Sequence, residues 1–322
     1  MPKVAVTDYS FPALDVESGV LSPLGVDLVS WKDKRSAEEL PQLVADADYV
    51  ITQFAPLTAA VVNSMQRAKV IVRYGIGVDN VDLEAARAKN IPVCNVPDYC
   101  IDEVADQTLA FILAATRGVV ANSNAVHEGR WGLAPPLEQM RTLRDLQVGV
   151  VGFGRIGREV VHRLLAFKCR VLVHDPVVAA AEIERAGCTA RSLDELLHES
   201  DVITLHCPST AATRGLINAE SIAGMKPGVI LINVARGDLV DSAALTGALA
   251  SGQVSIAALD VFAPEPIPAD HLILGAGNAI LSAHIASASV KAVRTLRETA
   301  AGIVAKAIRG EPLPNVVNGV KR

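Results

Sequence analysis

The chain has 322 residues, which at roughly 100–200 residues per domain predicts two domains. Half of its residues are hydrophobic and a fifth are charged, a composition that excludes a disordered or collagen-like chain. A net charge of −5 with only 4% aromatics argues against a broad nucleic-acid surface and against base-stacking platforms. Along the chain, short β-branched runs alternate with helical patterns. Residues 4–7, 26–31, 49–53, 70–73 and 92–96 read as buried strands, with helical stretches such as 36–47 and 83–89 between them. A long helical pattern without proline, 102–127, then separates these five strands from six more at 148–151, 170–173, 202–206, 229–234, 256–260 and 279–282. A second long helical pattern, 287–309, follows the last strand. Strands alternating with helices predict parallel sheets, and near-continuous apolar strands predict sheets covered on both faces.

Eleven strands are too many for one ordinary open sheet. The C-terminal helix can pack back on the first domain, so the organisation predicted is a discontinuous first domain, 1–101 plus 289–322, with a second domain, 102–288, inserted. The N-terminus lacks the apolar core of a signal peptide, and the longest apolar runs fall far below the ~18 residues of a membrane span. The five cysteines, at 94, 100, 169, 188 and 207, include no C-x-x-C pair. They read as reduced thiols in a cytoplasmic protein with no membrane partner.

The clearest local motif is Gly152-Phe153-Gly154-Arg155-Ile156-Gly157, between the strand at 148–151 and a helical pattern at 158–167. Gly152 makes a tight turn, Gly154 lets backbone approach a pyrophosphate, and Gly157 lets helix and strand pack closely. Asp175, at the end of the next strand, is placed to bind both ribose hydroxyls of an adenosine and to repel a 2′-phosphate. Three later strands each deliver one polar side chain just past their C-terminal ends. These are Arg236, Glu265 (held between Pro264 and Pro266) and His284. Singly, Arg236 reads equally as a strand-end cap, and His284 as a satisfied core residue. Together they can anchor an anion, orient an imidazole and move a proton.

With these motifs on the page, the chain resembles the D-isomer-specific 2-hydroxyacid dehydrogenases. The resemblance runs nearly from end to end: Gly75-Ile76-Gly77-Val78-Asp79-Asn80-Val81-Asp82, the glycine motif, His206-Cys207-Pro208, Met225-Lys226-Pro227-Gly228, Asn233-Val234-Ala235-Arg236-Gly237, the run from Asp260 to Pro266, and His284. Within the family it is most similar to the phosphoglycerate dehydrogenases and to the branch of the C-terminal binding proteins, the latter through residues 95–106.

The resemblance implies an α/β fold of two doubly wound parallel-sheet domains. A Rossmann NAD-binding domain is inserted in a discontinuous flavodoxin-like substrate domain, and the protein is a homodimer. It implies NAD as cofactor, no metal, and a 2-oxo or D-2-hydroxy acid as substrate, 3-phosphoglycerate or a related acid being candidates. Arg236 would hold the substrate carboxylate, His284 would exchange a proton with the carbonyl oxygen, and Glu265 would orient His284. The N–H groups of Ile76 and Gly77, in the loop opened by Gly75, would complete the carboxylate site. Beside them, Arg73 reads equally as a contact to a substrate phosphate or as a strand-end arginine in solvent, and Tyr74 equally as a cap on an apolar pocket.

Arg155 and Ile156 would meet the pyrophosphate. Cys207 and Pro208 would line the adenine side, and Val234, Ala235 and Asp260 the nicotinamide side. Thr108 would touch the cofactor or sit on a plain helix face. Two departures stand out. Ala283 occupies a position that is often proline, and the chain ends soon after Asn318, so regulation through further C-terminal domains is not expected. A rival reading is an NAD(H)-sensing scaffold that binds protein partners. A formate dehydrogenase is disfavoured, because that enzyme's histidine lacks a carboxylate partner such as Glu265.

Overall fold

A computed structural model describes residues 1–321. The chain divides into two compact units, one made of residues 1–99 with the segment from Ser289 onward, the other of residues 100–288. The first unit holds β1 (Lys3–Val6), β2 (Asp27–Ser30), β3 (Tyr49–Thr52), β4 (Val70–Arg73) and β5 (Val93–Cys94). All pair in parallel, in the order β2-β1-β3-β4-β5. This is the flavodoxin-like winding, with its switch between β1 and β3.

Alternate residues of each strand serve opposite faces. Val4, Val6, Ile51 and Val72 pack with Leu296, Ala300 and Val304 of the helix Val290–Arg309. Ala5, Val50, Ile71 and Val93 pack on the other side with Val61, Val62 and Ala86. The helix Val290–Arg309 starts where the Ser289 hydroxyl accepts the Ala292 N–H and stops at left-handed Gly310. Its Arg297 donates to fully buried Glu17 at 2.7 Å and to Asp15 at 2.8 Å, tying the last helix to the first.

The second unit holds β6 (Gln147–Val151), β7 (Arg170–His174), β8 (Thr189–Ala190), β9 (Val202–Leu205), β10 (Val229–Asn233), β11 (Val254–Leu259) and β12 (Ala279–Leu281). The order is β12-β11-β10-β9-β6-β7-β8, every pair parallel. Counted from β6, this is the Rossmann arrangement extended by one strand, with its switch between β6 and β9.

Three elements differ from expectation. The helical pattern 102–127 is two helices, Ile101–Thr116 and Val119–His127, bent by 62°. Gly118 between them is left-handed, with φ 58°, and a Cβ there would lie 2.8 Å from Pro135. Within 36–47 only Pro41–Val44 is α-helical, starting on a proline that has no N–H to lose. The strand β8 was not expected, because two residues carry no periodicity. Among the described residues no single helix is long and apolar enough to cross a membrane.

Candidate active site

The loops that follow β6 and β9 meet at the switch point of the seven-stranded sheet. Gly152 has φ 101°, and a Cβ on it would lie 2.7 Å from the His206 carbonyl and 2.8 Å from Cys207 N, so only glycine fits. A Cβ on Gly157 would lie 2.1 Å from the Gly152 carbonyl, the close helix–strand packing the motif predicts. The helix Arg155–Ala166 begins directly after exposed Gly154, with no side-chain cap and no acidic residue in its first turn. Three helices of this unit are closed by Ser192, Asn218 and Asp241, whereas those after Cys100, Gly118 and Ala179 also lack a side-chain cap. Open N–H groups at a long helix's positive end suit an anion. Arg155 is exposed and Ile156 half-buried at that end.

Asp175 accepts from Phe153 N at 2.7 Å, tying down the glycine loop, and from Val177 N and Val178 N in its own turn. Partial burial alone would raise its carboxyl, but the three N–H donors outweigh that and hold it below its ordinary value. They take three of a carboxylate's roughly four acceptor positions. About one is left for a ribose hydroxyl, where two contacts were expected. Burial pushes the Cys207 thiol up to about 11, with the Asp175 charge acting in the same direction, so it is a lining group and not a nucleophile. Burial likewise drives His206 down to about 3, leaving a neutral ring bonded to Thr204 Oγ1. Pro208 is exposed beside Cys207, Val234 is buried, and Ala235 is half-buried. Thr108 is fully buried and its hydroxyl donates to Val104 O in its own helix. A polar helix residue of this kind satisfies itself locally.

Beyond β10, β11 and β12 the structure brings the three proposed polar side chains together in a single edge of the same sheet. Glu265 Oε2 lies 2.7 Å from His284 Nδ1, and its Oε1 accepts from Phe262 N at 2.8 Å. Burial would raise the Glu265 carboxyl. The hydrogen bond and charge of His284, the Phe262 N–H and the charge of Arg236 outweigh it and hold the group lowered. Both histidine and glutamate are about a quarter exposed, at 27% and 28%, so a ligand can reach the ring. Arg236 is half-buried in an extended conformation, its Nη1 donating to Ala235 O.

His284 has φ 54°, rare for a residue with a side chain. Its loop is held by Asp260, whose carboxylate accepts from the Ser282 hydroxyl, from Ile285 N at 2.9 Å and from Ala286 N at 2.8 Å. Asp260 was expected to line the nicotinamide. It is fully buried, and what it shapes here is the histidine loop.

In the first unit, the loop after β4 carries the other expected residues. Gly75 has φ 142°, and a Cβ on it would lie 1.5 Å from Arg73 Nη1. The Arg73 guanidinium is therefore folded against the loop and lies 5.8 Å from the Phe54 ring centre, with 7% exposure. Ile76 and Gly77 are half-exposed. Asn95 Nδ2 donates to Ile76 O at 2.6 Å. In a planar trans peptide this aims the Gly77 N–H the opposite way. Asn95 thus shapes the loop, a role motif reading missed because the side chain acts through backbone. Tyr74 is a correction: it is 1% exposed and its phenol donates to Glu17 Oε1 at 2.9 Å, so the side chain belongs to the core and not to a substrate surface. Burial and the adjacent Glu17 charge push its hydroxyl well above the ordinary range.

The family model for the NAD-binding domain of D-isomer specific 2-hydroxyacid dehydrogenases matches residues 109–286. A D-3-phosphoglycerate dehydrogenase of Mycobacterium bovis is 35% identical over 320 residues, covering 99% of this chain but 59% of that protein. The chain thus spans little more than half the length of that relative. A hydroxypyruvate reductase of Blautia hydrogenotrophica is 35% identical, with 98% of this chain and 99% of that one covered. Among solved structures, a D-lactate dehydrogenase of Aquifex aeolicus in complex with NAD and lactic acid superposes with a TM-score of 0.85 at 34% identity, covering 96% of each chain.

Proposed function

The chain belongs to the D-isomer-specific 2-hydroxyacid dehydrogenase family, and from that premise we propose that it interconverts a D-2-hydroxy acid and the corresponding 2-oxo acid with NAD(H). The observation that carries this reading is the 2.7 Å pairing of Glu265 with His284, with the Arg236 charge felt at the same carboxylate. When bound, the nicotinamide supplies the hydride in reduction and accepts it in oxidation. The uncapped helix at Arg155, the Gly152 turn and the remaining acceptor of Asp175 fit the pyrophosphate and ribose of such a cofactor. A carboxylate at Asp175 would repel a 2′-phosphate, which favours NAD over NADP.

Glu265 pairs with His284 Nδ1, and Nε2 is assigned to give a proton to the substrate oxygen or take one from it. The ionised Glu265 stabilises the protonated ring and fixes its orientation. The Arg236 guanidinium offers two parallel donors to the substrate carboxylate and polarises the neighbouring carbonyl. The chain is read as a homodimer. Support for this comes from apolar side chains left exposed along 119–137, among them Val119, Val126, Leu133, Leu137 and Trp131, the last 94% exposed. A solution mass equal to one chain would overturn the dimer.

The test is turnover of glyoxylate, hydroxypyruvate, pyruvate and 3-phosphohydroxypyruvate with NADH, and of the D-hydroxy acids with NAD. At least one acid should be reduced, with NADH preferred over NADPH. His284→Ala should lose about 1,000-fold or more in kcat while still binding NADH. Tight NADH binding with no turnover of any acid would replace this reading with the NAD(H)-sensing scaffold.

A further inference from the structure

Arg236, Glu265 and His284 stand on three separate loops, and catalysis as read above requires them in one register. Asn233, the last residue of β10, lies where those loops are joined. It is 1% exposed. Its Oδ1 accepts from Ala235 N at 3.0 Å and its Nδ2 donates to Arg236 O at 2.8 Å, so one amide closes the turn on which Arg236 stands. Its own carbonyl accepts from Asp260 N at 2.9 Å, and the Asp260 carbonyl accepts from His284 N at 2.7 Å. The turn also seats Gly237 on the next loop. A Cβ on Gly237 would lie 2.0 Å from the Phe262 carbonyl carbon, and Phe262 N is the donor that holds Glu265 Oε1.

We infer that Asn233 is a positioning residue: through its amide and its carbonyl it keeps the Arg236 turn in register with the Glu265–His284 pair. An amide suits the task because one end must accept an N–H and the other must donate to a carbonyl. In a buried place, a group that does only one of these leaves a polar atom unmet. The inference rests on the dehydrogenase reading, in which the three side chains act on one substrate.

Two substitutions test it. Asn233→Ala removes both side-chain bonds. Asn233→Asp keeps the acceptor for Ala235 N and sets a second oxygen against the Arg236 carbonyl. For Asn233→Ala the expected result is NADH affinity within about twofold of wild type, with kcat/KM for the 2-oxo acid down about 10- to 100-fold, as displacement of about 1 Å produces. The His284 ring Nδ1 resonance, followed by NMR in labelled protein, should move from its wild-type position as Glu265 moves away.

Asn233→Asp should show the same loss at neutral pH and recover toward wild type at acid pH, where a protonated carboxyl can again donate to Arg236 O. A folded Asn233→Ala protein with unchanged kcat/KM and an unchanged His284 Nδ1 resonance would overturn the inference. So would loss of NADH binding in step with activity, which would mean a general folding role. If the alanine variant does not fold, the aspartate variant decides: no recovery at acid pH overturns the inference. If the wild type reduces no acid, the dehydrogenase reading fails, and the His284 Nδ1 resonance alone judges the register.

Discussion

Gly75 and Gly152 both follow a buried parallel strand and both have positive φ, 142° and 101°. A methyl group on Gly152 would strike main-chain atoms of His206 and Cys207, whereas on Gly75 it would strike the tip of the Arg73 side chain. The first glycine is fixed by two backbone segments that converge at a sheet's switch point and cannot part without moving strands. The second is fixed by a long side chain folded over it, which could swing aside. Identical residue types in similar loops therefore differ in what they protect: one the shape of a dinucleotide turn, the other the place of a guanidinium.

The largest expected effect is at the rigid loop. Gly152→Ala should weaken NADH binding by roughly 100-fold, since strain at positive φ adds to a backbone clash; fluorescence titration measures it, and near-wild-type affinity would show that the switch point yields. Gly75→Ala should leave NADH binding alone and raise KM for the oxo acid about tenfold. There the obstacle is a side chain, so Arg73→Ala combined with Gly75→Ala should cost less than the sum of the single changes. Strict additivity would place Arg73 elsewhere in solution.

The smallest effect concerns the tie that steadies the Gly152 loop. The Asp175 carboxyl is lowered in the folded protein. Its stabilising contribution is therefore complete above the ordinary carboxylate value of about 3.9 and is lost as the pH falls through the lower folded value. Asp175→Asn should cost about 1–2 kcal/mol at neutral pH. That gap in urea unfolding should close as the pH drops below about 4. A gap constant down to pH 2 would mean that the charge is immaterial.

The sequence carries the two windings legibly, because buried parallel strands are apolar runs with turns between them. It carries Arg236, Glu265 and His284 for a related reason: each comes just past such a run, and that position implies a common edge. What it hides follows from direction and distance. Arg73 and Tyr74 are neighbours in the chain, yet Tyr74 is drawn into the core by Glu17, a partner 57 positions away. No local pattern announces such a pairing. Thr108 looks like a polar spot on a helix, but its hydroxyl is consumed four residues back. Asn95 and Asn233 stand within motifs, but their roles there are silent because they act on carbonyls and N–H groups, which every residue possesses. At the break, a Cβ on Gly118 would meet Pro135, a distant neighbour in the loop after the second helix.

The helix Val290–Arg309 covers one face of the five-stranded sheet, and Arg297 fastens it to Glu17. All five strands of that sheet are synthesised before residue 95, yet this layer of their cover emerges only after the whole intervening unit has been made. On the ribosome, Val4, Val6, Ile51 and Val72 therefore leave the exit tunnel with one flank still wet. Unit 100–288 is contiguous, so all of its strands and helices are made in one uninterrupted stretch, whereas the first unit waits for its C-terminal helix. Nascent-chain assembly thus runs inside out: the inserted body can close first, and the segment translated earliest is among the last to reach its native packing.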